Sequence, residues 1–313
     1  MLVVLSICSP FFILIFLGAT LRYFNFLNIN FYTGLSKFAF YIAMPAYIGL
    51  AIAEANFNNY FNYKFLINYE TVTIIIFCFS AFVSILLIKI HKNEIGIFGL
   101  NCSYPNMGYI GIPLSLTVFG YQATIPLALI LFSDTLVLIT LTILFLSFSK
   151  SKLSFLDRIL EIIKLLFKNP LILSILIGIY ISINEINIFP VIKNTLEVLS
   201  NAAVPTALIS LGSMLVSEMK FNKIYKDMLL ISFFKLFLHP ILVLLMFQII
   251  PIEKDLWMKT AILIACLPVA ANVFVFANQY EEYEIKSSQA ITFTTFISTI
   301  SVPIWLYLIL NHI

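Results

Sequence analysis

The stretch PLILSILIGIYISI, from Pro170 to Ile183, carries no charge and belongs to one of ten apolar runs of about 20 residues that fill this chain. A helix needs a run of that length to cross a hydrocarbon core about 30 Å thick at about 1.5 Å per residue. Lipid offers no hydrogen-bonding partner, so a spanning segment must satisfy its backbone internally or in a closed barrel. Barrel strands would read as alternation in segments of about ten residues, which runs such as LVLITLTILFL do not show. An all-α membrane protein is expected. The composition agrees: 61% of the 313 residues are hydrophobic, 11% are charged, and mean hydropathy is +1.04, outside the range of a soluble domain. A scattered net charge of +3 gives no footprint for nucleic acid.

The ten windows lie at about 2–21, 32–53, 66–90, 96–119, 122–148, 170–188, 195–216, 227–250, 256–279 and 287–310. With the N-terminus outside, thirteen Lys and Arg residues fall in inside loops, against four outside, Lys64, Lys193, Lys254 and Lys259. Both termini are therefore expected outside a plasma (inner) membrane. The opening MLVVLSICSPFF lacks a basic region and reads as a retained span. Cys8, Cys78, Cys102 and Cys266 lie inside apolar runs without metal-type spacing, so buried free thiols and no metal site are expected. The connector 150–169 is basic, with Leu156, Ile159, Leu160, Ile163 and Leu166 at helical spacing; it reads as a helix on the cytoplasmic surface or as a plain linker.

The two halves share their punctuation. SPFFILIFLG matches NPLILSILIG, and IAMPAYIGL matches AAVPTALISL, which pairs Pro10 with Pro170, Gly18 with Gly178 and Pro45 with Pro205, each 160 residues apart. SYPNMGYIGIP then meets CLPVAANVFVF, pairing Pro105 with Pro268 at an offset of 163. Five spans per half is an odd number, so the second copy enters from the opposite side. The expected organisation is two inverted five-helix repeats, 1–149 and 170–313, around the connector. Such repeats place ligand sites near the midplane where corresponding helices are discontinuous. Helices 4 and 9 are the ones expected to break, at Pro105, Pro113 and Pro268.

NMGYIGIPLSLTVFG resembles the fourth-helix signature of the auxin efflux carrier family, and CLPVAANVFVFANQY resembles its ninth-helix counterpart, with KLFLHP in the eighth span adding to the match. The resemblance covers essentially the whole chain. It implies that the broken helices 4 and 9 cross at the midplane, a fold shared in outline with bile acid sodium symporters, a scaffold of spans 1, 2, 6 and 7 that dimerises, and a moving unit of spans 3–5 and 8–10. The short central connector is similar to the bacterial branch, whose members are described as permeases of malate, malonate or organic anions in general. Asn272 stands where plant auxin exporters carry a second proline.

Within this frame the substrate candidates are Asn106 and Asn272, whose amides both donate and accept, with Gly108, Gly111 and Ala271 beside them. Capping the broken half-helices is their competing role. Asp134 falls near the middle of the fifth run, where a carboxylate is costly; it reads as a proton or Na⁺ site, or as a structural aspartate. Lys235 in the eighth run either snorkels, pairs with Asp134 or faces an anion, and His239 shares its helix face. Thr292, Thr295 and Thr299 form a stripe that lines a cavity or bonds back to its own helix. No Walker, HExxH or GxSxG motif is present, so neither ATP drive nor an enzyme is expected. The expected function is alternating-access transport of a small organic anion such as malate or malonate, without a cofactor and coupled to H⁺ or Na⁺. An exporter of an auxin-like or other carboxylate, or a channel of the same fold, is the alternative.

Overall fold

The computed structural model describes residues 2–55, 62–147, 155–217 and 226–313, and every regular element in them is helical. In chain order these are α1 (Leu2–Tyr23), α2 (Ile29–Ala53), α3 (Tyr63–Leu87), α4 (Ile95–Ser103), α5 (Ile112–Phe119), α6 (Thr124–Ser147), α7 (Phe155–Lys168), α8 (Pro170–Ile183), α9 (Pro190–Ser217), α10 (Lys226–Ile249), α11 (Asp255–Ala265), α12 (Asn272–Tyr280) and α13 (Glu284–Asn311). Among the described residues, seven stretches are long and apolar enough to cross a membrane, or eight if the bent pair Ile162–Lys168 and Pro170–Ile183 is one span. Ten were expected. The difference arises where helices are broken: α11 and α12 are each too short to cross alone, and residues Met107–Leu146 join two expected windows in one stretch. The chain is a multi-pass membrane protein.

Prolines shape the helices by a shared device. Pro45, Pro113 and Pro240 each sit just after a five-residue π-helical turn, at Ala39–Ala43, Met107–Gly111 and Phe234–Leu238. Proline has no N–H, and its ring presses on the carbonyl four residues back; a wider turn moves that carbonyl away. The bonds from Met44 N to Ala39 O and from His239 N to Phe234 O have the matching five-residue step.

The chain divides into two compact units. The first comprises Met1–Asn62, Gly108–Leu129 and Phe167–Ser217. In it α1 packs along α9, and the second half of α2 packs along α8. Both contacts use glycine for close backbone approach. A β-carbon on Gly18 would strike the Ile209 carbonyl, and one on Gly212 would strike that of Ile15. A β-carbon on Gly178 would stand 2.8 Å from the Gly49 carbonyl. Thus α1, α2, α8 and α9 group together, and Gly108–Leu129 joins them, with α5 against α1.

The second unit comprises Tyr63–Met107, Ile130–Leu166 and Glu218–Ile313. Its core is aromatic, with Phe65, Tyr69, Phe77, Phe98, Phe234 and Phe247 fully buried and the Phe65 ring 5.0 Å from Trp257. At one end Tyr283 Oη donates to Asp227 at 2.8 Å, and Lys286 Nζ lies 3.0 Å from the same carboxylate oxygen. The connector contains the helix α7, on which Ile159, Leu160, Ile163 and Phe167 are exposed; residues 148–154 lie outside the described set. All four cysteines are free, and Cys78, expected to be buried, is exposed on α3.

Candidate functional site

Two chain breaks meet inside the second unit. α4 ends at Ser103, and Tyr104 turns to extended backbone, as a residue before proline prefers. α11 ends at Ala265, and α12 starts only at Asn272. Pro105 and Val269 form an antiparallel bridge, in which Asn106 N donates to Pro268 O at 2.9 Å and Ala270 N donates to Tyr104 O at 3.0 Å. These bonds satisfy backbone groups that lipid could not. Two side chains complete the accounting. Thr294 Oγ1 accepts the Val269 N–H at 3.2 Å, and Lys235 Nζ donates to the Ala265 carbonyl, the last of α11, at 2.8 Å.

Asn106 is 1% exposed and follows the bridge directly. Asn272 opens α12 and is half-buried; Ala271 at the cap position makes no side-chain bond, so that helix start has no side-chain cap. Pro105 and Pro268 lie in the crossing itself. Gly108 and Gly111 lie in the π turn that follows it, and Pro113 is buried in α5. A β-carbon on Gly108 would meet only Leu171 at 3.6 Å, an ordinary contact, so sterics do not require glycine there.

A second polar cluster lies in the same unit. Asp134 is fully buried on α6; its Oδ2 accepts from Tyr69 Oη at 3.3 Å and its Oδ1 has no hydrogen-bond partner. Lys235, also fully buried, does not snorkel: its Nζ points to Ala265 O and to His239 Nδ1, 3.2 Å away. It makes no direct ion pair with Asp134 among the described residues, though each lies within electrostatic reach of the other. An ammonium offers only donors, so Nδ1 is the acceptor. This network assigns His239 as a neutral ring with its proton on Nε2, which faces Thr73 Oγ1 at 3.3 Å. Of the hydroxyl stripe on α13, Thr292 and Thr299 bond back to their own helix, and Thr295 Oγ1 is buried without a partner.

Sequence reasoning missed Glu70. Both its carboxylate oxygens are buried without a hydrogen-bond partner, it interacts electrostatically with Asp134, and Ser133 is its polar neighbour on α6. It also missed Tyr69 and Thr73. The signal for Glu70 was the acid in NYETV, but a window starting at residue 66 put it at the membrane edge. The helix starts at Tyr63, which carries Glu70 about 11 Å inward at about 1.5 Å per residue.

The model of the membrane transport protein family matches residues 3–306. The chain belongs to that family. This is the auxin efflux carrier group that the crossing motifs resemble. Over 278 residues the chain is 28% identical to a protein of Rhizobium meliloti (strain 1021) named "Putative malonate transporter", covering 88% of this chain and 86% of that protein. It is 26% identical over 315 aligned positions to an uncharacterized transporter of Methanocaldococcus jannaschii, covering 96% of each. Family membership makes this chain a membrane transporter.

Proposed function

We propose that this transporter is a secondary carrier that moves small organic anions of the dicarboxylate class, with malonate as the first compound to try, by alternating access. The observation that carries the reading is the crossing of two broken helices, where Asn106 N–H bonds Pro268 O and Ala270 N–H bonds Tyr104 O. Unwound backbone, the amides of Asn106 and Asn272 and the uncapped start of α12 together offer donors and positive dipole ends to a carboxylate. The relative's printed name points to the same class of compound. Ten spans in two inverted repeats suit the helix pairs: α1 on α9 and α8 on α2 are the same pair seen from each half. Both termini outside the inner membrane, and the homodimer that the family resemblance implies, belong to this proposal.

Purified protein in liposomes is expected to show saturable malonate uptake and counterflow, lost in Asn106→Ala while the variant stays monodisperse. Flux that rises linearly with concentration, without counterflow, would instead identify a channel. Malate and an indole carboxylate in the same assay divide the dicarboxylate reading from the auxin-like one.

A further inference from the structure

We infer that Glu70 and Asp134 form a carboxylate pair that holds one exchangeable proton, and that this proton is the coupling ion. The inference rests on the reading of the chain as a gradient-driven carrier. Tyr69 on α3, Tyr104 beside the fourth-span break and Lys235 on α10 face the pair, and Cys102, Cys266 and His239 surround that lysine. The tyrosines and thiols are neutral at ordinary pH, and His239 is neutral because its Nδ1 accepts from Lys235. Two ionised carboxylates against one ammonium leave the cluster one positive charge short. A net charge in the membrane interior is costly, so the missing charge must be supplied. Three buried carboxylate oxygens, Asp134 Oδ1 and both of Glu70, make no hydrogen bond of ordinary geometry, and Ser133 is the polar side chain beside Glu70 that could offer a donor.

One proton supplies that charge and gives one of these oxygens a donor to share with another. A metal cation fits less well. Hard cations collect about six oxygens, whereas the carbonyl freed at the end of α11, Ala265 O, is taken by Lys235. Asp134 is fully buried and accepts from Tyr69, while Glu70, its oxygens also buried, has no such donor and lies nearer the Tyr63 end of its helix. Glu70 is therefore the member that exchanges the proton, and Asp134 the one that holds its place. Loading neutralises the cluster and unloading leaves it negative, so an organic anion nearby feels a different field in each state.

The charge balance makes a countable prediction. Infrared difference spectroscopy of the reconstituted protein, stepped from neutral to alkaline pH, reads the C=O stretch of protonated carboxyl groups. The wild type is expected to show a band at neutral pH that disappears in Glu70→Gln and in Asp134→Asn, since either change balances the lysine. In Lys235→Met the band should grow about twofold, because both carboxylates must then be protonated. Glu70→Asp should keep the band, and it serves as the second test if the glutamine variant does not fold. A band that survives in either neutralising variant overturns the inference, as does one that Na⁺ abolishes and choline does not. Malonate counterflow in the same vesicles separates the two proposals: the expected bands without counterflow leave the proton site and remove the anion reading, and counterflow without the bands does the reverse.

Discussion

Thr294 is a hydroxyl among many on α13, yet its place is specific: it donates to Ala290 O at 2.7 Å and accepts the Val269 amide at 3.2 Å. A serine or threonine in a membrane helix bonds back to its own turn by default. Here the second lone pair serves an amide that the crossing has stripped of a helical partner. Thr294→Val keeps the shape and removes the acceptor, leaving a buried N–H unsatisfied at a cost of about 1–3 kcal/mol. The variant is expected to melt earlier in detergent while Thr294→Ser melts close to wild type; equal melting of valine and wild type would mean that Val269 has another acceptor. Residue type named this position's chemistry, but its partner is 25 positions away in sequence, so no local pattern could assign it. Lys235 teaches the same lesson in reverse. Its depth left snorkelling open, and the fold closed that option by offering the Ala265 carbonyl instead.

At the scale of elements, the closest packing in the first unit is set by what is missing from side chains. Gly18 and Gly212 let α1 and α9 approach until each glycine touches the other helix's backbone. Membrane helices associate through such close contact because lipid supplies no hydrophobic drive between them. Gly212→Val forces the helices apart and is expected to cost about 1–3 kcal/mol or more, since the obstacle is backbone and cannot turn aside. Gly34→Ala, with nothing within 4 Å of the new carbon, is the control and should leave melting unchanged or slightly raised. Thermal unfolding in one detergent compares the two, and equal melting would refute the packing argument. The breaks after α4 and after α11 were readable from Pro105 and Pro268, because proline acts on its own turn. That Gly108–Leu129 would group with α1 was not, since packing partners are a property of surfaces brought together by folding.

For the whole molecule, the distribution of lysine and arginine predicts an orientation that can be read directly. A cysteine placed at Lys92 or Lys164 should react with an impermeant maleimide only when the cytoplasmic face is open, and one at Lys254 only from outside. The native thiols are first removed so that only the introduced one can react. Labelling of Lys92→Cys from outside intact cells would invert the topology. The two carboxylates of the coupling pair then lie nearer the outer ends of α3 and α6, with Glu70 the shallower of the two.

Hydropathy, proline and charge placement by themselves determined that the chain is helical, that it crosses the membrane many times and where two of its helices break. Each follows from a local rule: a backbone in lipid must bond internally, and a proline removes one bond from its own turn. Only the tertiary structure decided that the two breaks meet as a bridge, that Lys235 turns inward to a helix end and that Glu70 joins Asp134. These depend on groups far apart in the chain competing for the same few partners in a medium without water, and such competition has no signature in any one segment.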